Sequence, residues 1–249
     1  MDIFGSSRSR IARNYALLTP DTHVPSPLIG WENATAYFHI TPEMGARFQQ
    51  YTAVLAPGGK GIEPSAAIER LFFVQEGNPS VEVSGKTTSL KPGSFAFLPA
   101  GTAHKISTKD ATKLIVFEKK YLPLAGVNSP PVVIGHEDDI EAKAFLGDED
   151  ARLKTLLPID PAFDMAVNIF TYQPGATLPF VEIHVMEHGL QMIQGSGVYR
   201  LGDDYMPVAA GDIIWMASYC PQWFVAMGKQ PARYIYYKDI HRDGLELRG

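Results

Sequence analysis

The sequence predicts an all-β protein of two tandem antiparallel β-barrels of the jelly-roll kind. Three observations predict it. Helical periodicity is weak along the whole chain. Its 22 glycines and 19 prolines are spread out, as in many short strands joined by turns. One half of the chain also repeats in the other. The stretch VQEGNPSVEVSGKTTSLKPGSFAFLPAGTAHKI aligns without a gap on MIQGSGVYRLGDDYMPVAAGDIIWMASYCPQWF at a shift of 118 positions. Gly77 falls on Gly195, Gly93 on Gly211, Leu98 on Met216 and His104 on Gln222. Just upstream IERL falls on MEHG, and further back LAPGG resembles YQPGA at nearly the same offset. The matched positions are turn glycines and the apolar alternation.

Each half reads as strands. VEVSGKTTSL and VYRLGDDYMPV alternate apolar with polar residues and are broken by SG and GDD, which predicts two hairpins. GSFAFLPA and GDIIWMAS are short apolar runs opened by glycine, as expected of buried strands. KLIVFEKKYL and ARYIYYKDI close the two halves. The apolar run RLFFV suits a core strand or an interface between subunits. NSPPVVIGHEDDIEAKAFLGDEDARLKTLLPID is polar, acidic and proline-containing, so it is expected to be the connection, with helical turns only near residues 139–157. The expected division is residues 1–140 for the N-terminal barrel and 141–249 for the C-terminal one.

Composition narrows the partners. The net charge is −5 and no block of Lys or Arg occurs, which argues against nucleic acid and anionic membranes. The single cysteine, Cys220, excludes an internal disulfide and a Cys-rich metal site. The basic residues near the start precede no apolar run of signal-peptide length. No stretch approaches the roughly 18–20 apolar residues that span a bilayer. A cytoplasmic protein acting on a small molecule is the expectation.

The run EIHVMEH, then a glycine, a GD turn and a late Pro-Gln, resembles the paired motifs of the cupin superfamily. With the repeat, the chain resembles a bicupin over most of residues 40–240. On a strand, Glu182 and His184 point to one face, and His188 keeps their parity. That face of a small barrel is its interior, where imidazole and carboxylate are costly unless something satisfies them. A divalent cation does so. Gln222 falls where the cupin pattern supplies its last ligand. Glu182, His184, His188 and Gln222 thus form a candidate metal set, and its oxygen donors lean toward a hard ion such as Mn²⁺, with Fe²⁺ and Ni²⁺ left open. Their counterparts in the first half are Pro64, Ala66, Arg70 and His104, three of which cannot bind metal. The N-terminal barrel is therefore expected to be metal-free, with a role in packing, oligomerisation or shaping the site.

A closer resemblance rests on NYALLTPD, EIHVMEHGLQMIQGSGVYRLGDDYMPVAAGDIIWM, SYCPQ and YIYYKDIHRD. Together they resemble the (S)-ureidoglycine aminohydrolases, bicupins of purine (allantoin) catabolism, from about Asn14 to Asp243. The resemblance implies a Mn²⁺-dependent hydrolysis of (S)-ureidoglycine to (S)-ureidoglycolate and ammonia. It implies metal ligation by Glu182, His184, His188 and Gln222, and substrate contacts by Tyr199, Tyr234 and Lys238. Glu182 is the candidate for the base that takes a proton from water. Association into a homo-oligomer is also expected. Two alternatives stand beside this one. A cupin dioxygenase would ordinarily carry histidine where this chain has Gln222, and a non-catalytic binder would hold metal and ligand yet release no ammonia.

Overall fold

The computed structural model describes residues 7–242; residues 1–6 and 243–249, which the expected domain limits include, lie outside it. Among the described residues there is no α-helix, only strands and three short 3-10 turns at Pro20–Thr22, Pro42–Met44 and Glu137–Asp139. The chain starts with β1 (Arg10–Ile11) and β2 (Tyr15–Leu18). Next come β3 (Pro25–Pro27), β4 (Glu32–Ile40), β5 (Gln49–Ile62), β6 (Ile68–Glu76), β7 (Ser80–Val83), β8 (Lys86–Ser89), β9 (Ser94–Leu98), β10 (His104–Ser107), β11 (Thr112–Lys120) and β12 (Val133–His136). The last group is β13 (Lys143–Phe145), β14 (Asp148–Thr155), β15 (Met165–Tyr172), β16 (His188–Gln194), β17 (Ser196–Leu201), β18 (Asp204–Ala209), β19 (Ile213–Met216), β20 (Gln222–Met227) and β21 (Ala232–Asp239).

These strands form two compact units. One is Val24–Asp139; the other joins the residues up to His23 to those from Ile140 onward. The first is a single antiparallel sheet along β12-β9-β6-β11-β5-β10-β7-β8, with β4 beside β5 and β3 beside β4. Alternate residues of its strands, among them Tyr51, Phe72, Leu98, Leu114 and Val116, gather as its core. The RLFFV run lies in β6, with Leu71, Phe72, Phe73 and Val74 all buried. The second unit has a sheet β1-β2-β19-β16-β21-β15-β14-β13 and a smaller one, β18-β17-β20. Leu17, Phe170, Met216 and Phe224 belong to its core.

The duplication is kept in register. Arg70 pairs with Leu98 as His188 pairs with Met216, and His104 pairs with Val83 as Gln222 pairs with Leu201. Both predicted hairpins form. Ser84 and Gly85, both at positive φ, make the two-residue turn between β7 and β8, while Gly202 opens the turn between β17 and β18. Gly77 and Gly195 share a positive φ, and a Cβ would lie 2.4 Å from Ala111 O in one case and 2.6 Å from Pro231 O in the other.

Three expectations are corrected. The residues before His23 lie in the second unit, not in a barrel of residues 1–140, because β2 pairs along β19 from Leu18↔Ile213 to Tyr15↔Met216. Arg8 locks this attachment with two hydrogen bonds to the buried Asp212 carboxylate, at 2.7 and 2.9 Å. The supposed connection is ordered strand. β12 completes the first sheet against β9, and β13 and β14 form a hairpin at the edge of the second. Where helical turns were expected, only Glu137–Asp139 at the margin forms one, since β14 is drawn into the ladder with β15.

Candidate active site and metal centre

Glu182, His184, His188, Gln222, Tyr199, Tyr234 and Lys238 all line one cavity of about 210 Å³ in the second unit. Different elements bring them there. His188 is the first residue of β16, and its neighbour across the ladder on β21 is Lys238. Alternation along β21 then puts Tyr236 and Tyr234 on the same face as Lys238, opposite Leu190 and Met192. Tyr199 reaches in from β17, where it pairs with Phe224 of β20.

The segment before His188 is not the regular strand that parity assumed. Glu182 touches the sheet at a single bridge: its N–H donates to Gln222 O (2.8 Å), and Gln222 N–H donates back to Glu182 O (3.0 Å). A pair exchanging both bonds carries its side chains on one side, so Glu182 and Gln222 face the cavity together. Tyr219 N–H holds the next turn by donating to His184 O at 2.7 Å. The chain thus reaches the same convergence by a looped path.

The histidine geometry bears on metal binding. His184 Nδ1 lies 3.0 Å from Met186 O, and His188 Nδ1 lies 3.2 Å from Tyr237 O. A carbonyl only accepts, so each Nδ1 carries the proton and each Nε2 presents a lone pair. The two Nε2 atoms converge at 3.1 Å, with the rings nearly perpendicular at 76°. Gln222 Nε2 lies 2.8 Å from His184 Nε2, and a half-turn of that amide offers Oε1 instead. Converging lone pairs whose opposite nitrogens donate to backbone carbonyls suit a shared cation. Among the described residues no three His, Cys, Asp or Glu side chains group closely enough to hold an ion by themselves. A set built on the two imidazoles would need the Gln222 amide oxygen beside them, with Glu182 closing upon it.

Burial sets the electrostatics. It pushes the Glu182 carboxyl above its ordinary range, against the pull of His184 and Lys238. It lowers the Lys238 ammonium, with Glu182 partly opposing. His188 is held well below its usual value by burial first, then by His184 and Lys238, so it stays neutral and free to ligate. The phenols of Tyr199 and Tyr234 are raised by burial and remain protonated donors.

Several residues in or behind the cavity wall were not singled out from the sequence. Tyr172 OH lies 3.2 Å from Tyr234 OH, and Phe170 stacks on Tyr236 with ring centroids 5.9 Å apart. The alternation in MAVNIFTY places Phe170 and Tyr172 on one face and was the available signal. Phe145 and Leu153 also line the cavity, but they sit in the stretch read as a connection.

A cupin-domain family model matches residues 51–118. A protein of Arabidopsis thaliana named (S)-ureidoglycine aminohydrolase is 38% identical over 98% of this chain and 82% of its own length. The Escherichia coli (strain K12) protein of the same name is 34% identical over 92% of this chain and 90% of its own. The crystal structure of protein Ylba from E. coli superposes with a TM-score of 0.86 at 31% identity, covering 96% of both chains. With identity spread across both barrels at these levels, the chain belongs to the (S)-ureidoglycine aminohydrolase family.

Proposed function

We propose that the second barrel hydrolyses (S)-ureidoglycine to (S)-ureidoglycolate and ammonia, in purine catabolism, with Mn²⁺ held by His184, His188, Gln222 and Glu182. The observation that carries this reading is the meeting of all seven side chains in one cavity, with a cation, Lys238, beside the paired imidazoles. What the ion supplies when bound is Lewis acidity that polarises and orients the substrate.

The chain's own residues do the rest. Lys238 pairs with the substrate carboxylate as a point charge. Tyr199 and Tyr234 donate hydrogen bonds to the ureido carbonyl. Glu182, made more basic by burial, takes a proton from water as its oxygen bonds to the carbon bearing the amino group. The C–N bond breaks and the nitrogen leaves as ammonia with the proton returned to it. The aromatic lining of Phe170 and Tyr236, with Tyr172 packed against Tyr234 behind it, keeps bulk water away from these charges.

The test is stereospecific formation of (S)-ureidoglycolate from freshly generated (S)-ureidoglycine, above the spontaneous background, with protein stripped of metal and reloaded with Mn²⁺. A Mn²⁺-dependent rate that His188→Ala abolishes is the expected result. Stoichiometric Mn²⁺ without turnover would sink the substrate assignment, and oxygen uptake would then be measured.

A further inference from the structure

The lumen of the first barrel answers the same positions with different chemistry. Arg70 occupies the place of His188, His104 that of Gln222, and Glu118 faces Arg70 across the ladder as Lys238 faces His188. Arg70 is buried, and its guanidinium takes the centre. Nε donates to Glu118 Oε1 at 2.6 Å; Nη1 donates to Ile62 O at 2.8 Å and to His104 Nε2 at 3.0 Å. His104 can accept because its Nδ1–H is committed to Thr102 O. Glu118 Oε1 also accepts from Tyr51 OH at 3.0 Å. The Trp31 ring lies 5.3 Å from the guanidinium carbon, seated on the backbone at Gly61 where a Cβ would meet it at 2.6 Å.

Two hydrogen-bonding positions are left over. Beyond these bonds and the approach of the guanidinium to the Tyr51 hydroxyl, Arg70 Nη2 keeps an N–H and Glu118 Oε2 keeps a lone pair that no other described residue takes up. Both residues line a cavity of about 260 Å³, together with Trp31 and the apolar Leu28, Ile29 and Phe38. We propose that this cavity is a second small-molecule site. It takes a neutral amide or ureide whose carbonyl accepts from Arg70 Nη2 and whose N–H donates to Glu118 Oε2, with a short apolar tail against Leu28 and Ile29. A neutral ligand fits because the ion pair already cancels its own charge, and Glu63 on the lining repels an anion. The inference stands apart from the reaction assigned to the second barrel.

The metal-loaded protein is titrated with butylurea, and in parallel with butyrate, while the indole ¹⁵N–¹H signals of Trp31, Trp215 and Trp223 are followed. A saturating shift of the Trp31 signal with butylurea and none with butyrate is expected. Glu118→Gln, which turns the open acceptor into a donor, should weaken the response about tenfold or more. Should that variant fail to fold, Ile29→Trp at the 95% exposed rim should weaken binding by obstruction. No saturation at Trp31, an equal response to butyrate, or full affinity in both variants overturns the proposal.

Discussion

Lys238 shows how a single residue's burial becomes part of the chemistry. Taking an ammonium from water lowers its pKa, and Glu182 opposes that shift. The cation is thus kept next to the paired imidazoles, where the proposed function would have a substrate carboxylate partner it. Lys238→Met should raise KM for ureidoglycine by about tenfold to a hundredfold, the worth of one charge-assisted hydrogen bond. Bound Mn²⁺ should stay unchanged, and steady-state kinetics with metal analysis checks both. Lys238 and Tyr234 were legible because β21 is regular and its side chains alternate between faces. Tyr172 was not, because nothing local in its sequence says that its hydroxyl will meet Tyr234 from a strand more than sixty residues away.

At the scale of the element, the informative case is the stretch before β16. Reading it as strand assigned Glu182, His184 and His188 to one face, and they do share a cavity, but through a bridge and a loop. Parity cannot see a loop anchored by Tyr219 N–H on His184 O, since that bond joins residues remote in sequence. The hairpins were legible because a two-residue turn has local chemistry; the attachment of β2 to β19 was not, because strand partners far apart leave no mark in either strand. Leu17 of β2 is fully buried in the second core. Leu17→Ala should therefore cost about 2–5 kcal/mol. Hydrogen exchange resolved along the chain should quicken in peptides from Ile140 onward and leave Val24–Asp139 nearly unchanged. Faster exchange in Val24–Asp139 alone would contradict the assignment of β2.

For the molecule as a whole, one strand register supports two opposite interiors. The second barrel gathers lone pairs that suit a cation, and the first carries its own cation on Arg70. The first interior has a pH signature. Burial above all, and the charge of Arg70, depress His104 from its ordinary 6.5 to about 4, although its bond to Thr102 O opposes this. Its neutral form is favoured in the fold, so the stability it contributes is complete above pH 6.5 and is lost as pH falls toward about 4. The thermal stability of the first barrel should fall as pH is lowered across that window, and His104→Gln should flatten the dependence. The attachment of β2 to β19 also dictates an order of events on the ribosome. Val24–Asp139 has every strand of its sheet once synthesis passes β12, so it can close while the chain is still growing. β2, made earlier, must wait for β19. The barrel proposed to do the chemistry is therefore the last to form, with its first strand held open to wrong partners longer than any other.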